Sequence, residues 1–335
     1  MNSIIDLAKR AKEEGLLFRT WGNFSERIDE KSFLITPSGM DYDQLNKEDL
    51  CTMSGAKSTG LHKPSSESPL HERIYKLFSH VKVIMHTHQP YASAIGLSTE
   101  LHPLDKEMAL NFSTAFLPIS PYALPSTGKL HKNAIKTLKK HPAKVLLLEK
   151  HGAVIMGESY EDVLGRAILL EEVCRKIYYS LFKKEEEIEV NRYSLRKDPI
   201  EFYEDNKLSS TPIDAILHDM IYDEREDINV IMVVKSPDLR DFYGSVLYPY
   251  LDDFAQIVGI KANESTVHNV LLTLDAALIL APDMEEALAI KHILDKNAKA
   301  ARVALYYGAK PIGELESKLM NFIYQEKYAK LKNKK

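Results

Sequence analysis

The chain opens on a helical period. In MNSIIDLAKRAKEEG, Ile4, Ile5, Leu7 and Ala8 fall on one side and charges elsewhere, which predicts a helix ending near Gly15. RTWGNFSERI is turn-rich and leads into a strand, and KSFLITPSGM is a short apolar strand running into a Pro-Ser-Gly turn. DQLNKEDL reads as loop. KPSSESPLHERIYKLFSH sets Ser and Glu residues ahead of Leu70, Ile74 and Leu77, a helix entered through a capping signal. VKVIM is a buried strand, KNAIKTLKKH a short helix, and AKVLLLEKHGAVIMG two strands around a tight turn at His151-Gly152. YEDVLGRAILLEEVCRKIYYSLF is a long amphipathic helix, and the charge run KKEEEIEV reads as its solvated end.

At about residues 185–210 the composition becomes charged, Pro-containing and poor in apolar periodicity, which predicts a linker. The pattern then restarts. TPIDAILHDMIYDEREDINVIMVVKSP lines up without a gap with PSSESPLHERIYKLFSHVKVIMHTHQP, and LLTLDAALILAPDMEEAL echoes LLEKHGAVIMGESYEDVL. Leu70, His71, Ile74, Tyr75, Val83, Ile84 and Met85 recur as Leu217, His218, Ile221, Tyr222, Val230, Ile231 and Met232. Two blocks in the same order imply a duplicated domain. The expected organisation is therefore a first α/β domain over 1–190, a linker over 191–210 and a second copy over 211–335. That copy is shortened at its front, with no counterpart of TWGNFS or TPSG.

Composition narrows the function classes. A chain of 335 residues suits two domains, and 44% hydrophobic with 27% charged residues is the balance of a soluble globular protein. A net charge of -4 gives no footprint for nucleic acid or membrane, and the one basic run, KYAKLKNKK, reads as a solvated terminus. Cys51 and Cys174 are too few for a disulfide framework. The first helix lacks the apolar core of a signal peptide, and no stretch approaches the ~20 apolar residues of a membrane span. The expectation is a cytoplasmic protein.

The candidate chemistry lies in the first copy. His86 and His88 stand at i, i+2 on a strand, so both imidazoles share one face, roughly 6–7 Å apart at their roots, and can converge on one divalent ion. His151, in a His-Gly turn leaving another strand, adds a third. Glu67, after Ser65 and Ser66, sits at a helix entrance, where an acid also serves as a cap. The second copy separates chemistry from packing. It keeps Val-Ile-Met, yet His86, His88, His151 and Glu67 correspond to Val233, Lys235, Asp275 and Asp214. All four polar positions changed together while the framework survived, the pattern of a site lost as a unit.

TWGNFS, TPSG, KPSSE, HTH and EKHG, in this order and spacing, resemble the class II aldolase/adducin head family, typified by L-fuculose-phosphate aldolase. The resemblance covers about residues 1–185 and continues more weakly over 211–325. It implies a three-layer α/β/α domain around a mostly antiparallel sheet, duplicated here with the second copy truncated. It further implies one Zn2+ per chain on His86, His88 and His151, and Glu67 as acid/base. Thr20, Asn23, Ser38, Gly39, Ser65 and Ser66 would form a phosphate pocket. The implied activity is retro-aldol cleavage of a small ketose phosphate to dihydroxyacetone phosphate and an aldehyde.

The family also contains dehydratases, decarboxylases and 4-epimerases on the same zinc site, and adducin heads that act as interaction proteins. Its epimerases show Asp where this chain has Glu67. Where the aldolase carries a tyrosine acting on a neighbouring subunit, this chain has HPLDKEMA, with Glu107 near that position. A Glu there is similar to the family's dehydratases, which in turn lack the Glu of KPSSE. Family members assemble with fourfold symmetry, so the expected assembly is a homodimer whose four domains imitate that tetramer, with two metal sites and two without.

Overall fold

The computed structural model describes residues 1, 3–184, 192–212, 214–263, 265–266 and 268–332, the side chains of 327–332 excepted. The chain divides into two compact units, Met1–Phe182 and Lys183–Lys335.

In the first unit α1 (Ile4–Glu13) precedes β1 (Asn23–Arg27), β2 (Ser32–Ile35), β3 (Cys51–Ser54) and β4 (Lys57–Thr59). Then come α2 (Ser68–Leu77), β5 (Val83–Thr87), α3 (Pro90–Ile95), α4 (Lys106–Phe112), β6 (Ile119–Ser120) and α5 (Gly128–Lys140). The unit closes with β7 (Val145–Leu148), β8 (Gly152–Gly157) and α6 (Tyr160–Leu181). Its sheet runs β4-β3-β2-β1-β5-β8-β7-β6 and is mixed, with β6 parallel to β7 and its other neighbouring strands antiparallel. Helices α2 and α5 cover one face, and α1, α3 and α6 the other. The α2/α5 side holds a core of Ile84, Val154 and Met156 against Leu70, Ile74 and Leu130. By strand alternation His86 and His88 share this face with Ile84.

The second unit contains β9 (Arg192–Leu195), β10 (Glu201–Glu204), β11 (Lys207–Leu208), α7 (Ala215–Glu224), β12 (Val230–Val234), α8 (Asp252–Ile257), β13 (Val270–Leu272), β14 (Ala277–Ala281), α9 (Met284–Tyr307) and α10 (Glu314–Lys332). Its sheet runs β11-β10-β9-β12-β14-β13, wholly antiparallel. Residues 192–208, expected as linker, are thus three strands of this sheet. The expectation that the second copy lacks a counterpart of the TWGNFS segment is corrected too. Ser194 pairs with Ile231 as Ser25 pairs with Ile84, so RYSLR holds the place in its sheet that NFSER holds in the first. Only a serine and an arginine are shared at matching places, too little for sequence comparison to register. From residue 185 the KKEEEIEV run lies outside the described residues, as does the end of the basic tail. No helix among the described residues is long and apolar enough to cross a membrane.

Those few shared residues form the same network twice. Ser25 Oγ lies 2.6 Å from His71 Nδ1 and 2.8 Å from Tyr75 Oη. Ser194 Oγ lies 2.7 Å from His218 Nδ1 and 2.9 Å from Tyr222 Oη. Arg27 and Arg196 each stack a guanidinium on the tyrosine, 4.6 and 4.8 Å from the ring centroids. Each arginine also donates to carbonyls beyond the following helix, Val81 and Phe78 in one unit, Ile228 and Arg225 in the other. A buried strand serine thus ties helix to sheet, satisfying polar groups that would otherwise be costly to bury.

Two buried histidines, one of them in this framework, give the fold an acid-sensitivity that can be measured. Burial pushes the His71 imidazole down to about 3, and burial aided by Lys296 pushes His292 in the second unit down to about 4. Both rings stay neutral in the folded protein, whereas an unfolded histidine titrates at about 6.5. Their contribution is therefore fully present above about pH 6.5 and is lost as the pH falls towards 4 and then 3. Each ring should lower unfolding free energy by about 1.4 kcal/mol per pH unit across that window. Urea unfolding between pH 7 and pH 4.5 checks this, and His71→Gln should remove one ring's share of the slope.

Candidate metal centre

His86 lies on β5 and His88 just beyond its end, while His151 ends the turn between β7 and β8. The turn is tight because Lys150 takes a left-handed conformation (φ 61°) and His151 N–H returns to the Leu148 carbonyl at 3.0 Å. Two glycines let neighbouring backbones close on this strand end. A Cβ on Gly152 would meet the Thr87 carbonyl oxygen at 2.3 Å, and one on Gly22 (φ 109°) the His86 carbonyl oxygen at 2.6 Å. Backbone oxygens on both sides leave no room for a methyl group. Gly152→Ala should therefore displace His151 relative to His86 and lower divalent-metal affinity by about tenfold or more, well beyond the loss expected from stability alone. Metal titration beside thermal unfolding of the same variant separates the two effects.

The three rings form a triangle with centroids 4.7–4.8 Å apart, His86 and His151 stacked at 15° and His88 edge-on to both. One ligand nitrogen from each lies within 4.8 Å of the others, and all three residues are buried. His86 Nδ1 contacts the Ala153 carbonyl at 2.9 Å. A carbonyl only accepts, so Nδ1 carries the proton and Nε2 presents a bare lone pair. Burial pushes this imidazole down to about 3, which keeps it neutral and fit to ligate. His88 Nε2 lies 3.0 Å from His86 Nε2. Two nitrogens of one tetrahedral ion with bonds of about 2.0–2.1 Å stand about 3.3 Å apart, so this spacing fits a shared divalent ion.

Glu67 sits at the N-cap of α2 but forms no side-chain cap bond there. Its carboxylate turns inward, 4% exposed, with Oε2 3.7 Å from His86 Nε2 and Oε1 3.6 Å from His151 Nε2. Ser126 N–H donates to Oε1 at 3.3 Å, and Oε2 is buried with no hydrogen-bond partner among the described residues. Burial alone would push this carboxyl up, but His151 and His86 outweigh it and hold the group below the usual carboxylate range. A buried, ionised carboxylate with one unused oxygen beside three histidines is what a cation and a proton-donating substrate position would satisfy.

The other sequence candidates fall in two groups. Asn23 is buried opposite His86 in the β1–β5 ladder, and its Oδ1 has no hydrogen-bond partner among the described residues. The TPSG and KPSSE segments meet through a Pro37–Pro64 bridge, with Ser65 N–H to the Thr36 carbonyl and Ser38 N–H to the Lys63 carbonyl. Ser65 is buried, Ser38, Gly39 and Ser66 are exposed, and Thr20 is half-buried. Glu107 stands apart, exposed in the first turn of α4. The sequence reading missed Ser126. Its left-handed conformation (φ 61°) aims the N–H at Glu67, and its hydroxyl lies 2.7 Å from Ser66 Oγ. The PSTGK turn ahead of α5 was the available signal.

In the second unit the corresponding positions carry ion pairs. Lys235 and Asp275, aligned with His88 and His151, pair at 2.9 Å, and Arg192 pairs with Asp214 at 3.2 Å.

The family model described as Class II Aldolase and Adducin N-terminal domain matches residues 2–178. Among curated proteins, the chain is 28% identical over 190 residues to a probable L-ribulose-5-phosphate 4-epimerase of Mycoplasma pneumoniae, covering 50% of this chain and 75% of that protein. It is 27% identical over 186 residues to a 3-oxo-tetronate 4-phosphate decarboxylase of Haemophilus influenzae, covering 53% and 86%. It is 30% identical over 160 residues to an L-fuculose phosphate aldolase of Methanococcus vannielii, covering 46% and 82%.

Proposed function

We propose, on the premise that this chain belongs to the class II aldolase and adducin family and is an enzyme of that metal-dependent group, that it cleaves a small ketose phosphate by a retro-aldol reaction. The observation that carries this reading is the pairing of the histidine triangle with a buried glutamate 3.6–3.7 Å from two of its nitrogens. Relatives named as an epimerase and a decarboxylase match the chain at similar identity, so we rest the choice of reaction on the glutamate.

His86, His88 and His151 would hold one divalent ion, zinc by the chemistry of three neutral imidazoles, and when bound it would supply positive charge to oxygens that become negative as the carbon–carbon bond breaks. Glu67 would accept and return the proton at the carbon next to the carbonyl, held by the Ser126 N–H that donates to its Oε1. Asn23, Ser65, Ser66, Ser38, Gly39 and Thr20 are proposed to bind the substrate phosphate, at the junction where the TPSG and KPSSE segments meet near the start of α2. Glu107, exposed on α4, is proposed as the acid that a second copy of the chain would receive, in a homodimer of four domains. We also infer that the second unit arose by duplication, from the matching strand order, registers and Ser–His–Tyr networks.

The test is a panel of ketose 1-phosphates, 3-oxo-acid phosphates and ketopentose 5-phosphates with metal-loaded protein. Dihydroxyacetone phosphate and an aldehyde are expected from the first class. Carbon dioxide release or C4 epimerisation as the dominant reaction would overturn the aldolase reading.

A further inference from the structure

The second unit contains a cavity of ≈ 220 Å³ lined by, among others, Arg192, Tyr203, Glu204, Ser209, Ser210 and His218. It lies at the place in its own sheet that the histidine centre holds in the first unit. Arg192 is opposite Val233 in the β9–β12 ladder, as Asn23 is opposite His86 in β1–β5. Asp214 caps α7 with the backbone conformation of Glu67 (φ -91°, ψ 9° against -94°, 3°). Where the first unit gathers neutral imidazoles, this one sets a guanidinium. Arg192 Nη2 donates to both Asp214 oxygens, at 3.2 and 3.3 Å, which leaves Nε and Nη1 without partners among the described residues. His218 is 1% exposed, and its Nε2 likewise has no partner among them. Phe202, on the same sheet face as Ser194 and Arg192, lies 5.5 Å from the His218 ring and gives the cavity an apolar wall.

We propose that this cavity is a second, metal-independent ligand site for a small oxyanion-bearing metabolite, a phosphate monoester or a carboxylate. The anion would sit on the free edge of the Arg192 guanidinium, a fixed fork suited to planar recognition of such groups. Ser209 and Ser210 supply hydroxyls, His218 Nε2 a buried polar contact, and Phe202 an apolar wall for the rest of the molecule. Two serines just ahead of Pro212 stand in for the Ser65–Ser66 pair that the second unit lacks. Glu204, exposed and directly opposite Arg192 in the β9–β10 ladder, opposes an anion at the mouth and should keep the affinity modest.

Calorimetric titration of the full chain with inorganic phosphate and, separately, malonate tests the site. Arg192→Gln should weaken binding at one site by about tenfold or more, the usual range for a charge-assisted contact. Glu204→Gln should tighten it severalfold, a gain that damaged folding cannot mimic. Stronger binding of phosphate assigns a phosphate ester as the natural ligand, and stronger binding of malonate a carboxylate. Neither probe binding at millimolar concentration, or affinities unmoved by both substitutions, would overturn the proposal. His88→Ala, which disables the first unit's metal centre, should leave this site intact, so the failure of one reading does not carry the other with it.

Discussion

Glu67→Gln should leave the divalent ion bound and lower turnover by roughly 10²–10⁴-fold, the span that one positioned acid–base contributes. The substitution is nearly isosteric. A glutamine can still accept the Ser126 N–H that now bonds Oε1, so the loop ahead of α5 keeps its anchor. What is lost is basicity, at a buried position beside His86 and His151. The cleanest readout is exchange of dihydroxyacetone phosphate protons with deuterated solvent, which isolates the proton-transfer half-reaction. Exchange at a near wild-type rate would remove Glu67 from its role.

His88→Ala is expected to abolish stoichiometric metal binding while the fold survives. His88 stands just past the end of β5, so its ring can be removed without breaking the β5–β8 ladder that joins His86 to Val154. The loss of a direct ligand should exceed the roughly 10–100-fold that removing an outer-sphere partner costs. Elemental analysis should give one ion per chain for the wild type and close to none for the variant. A full equivalent retained in the variant would refute the ligand set.

Helices α1, α2, α5 and α6 and the central strands of the first unit were legible because their apolar residues obey a clear period, and the His86/His88 pair because period two puts alternate residues on one face; the short α3 and α4 were not read. Glu67 was legible only as an acid at a helix start. Its inward turn depends on the histidines, which sit far away in sequence. β9–β11 were hidden because each is short and buries little, with Ser194 and Phe202 the buried positions among Arg, Tyr and Glu residues. Composition there speaks of solvent, whereas hydrogen bonding to β12 decides the structure. Ser126 could not be found by residue type, since it acts through its backbone N–H.

The proposed ligand set also says where motion would be confined. His86 and His88 belong to one end of the β5 strand, His151 to the entrance of its neighbour β8, and His86 is itself fastened to the Ala153 carbonyl on that neighbour. An ion gripped by all three would act as a rivet across two neighbouring inner strands, so any opening between them would have to release it first. Amide hydrogen exchange should accordingly slow on metal addition across Ile84–Thr87 and Ala153–Met156, by a factor set by ion concentration over its dissociation constant. The outer strand β4, remote from the rivet in the sheet order, should exchange at an unaltered rate.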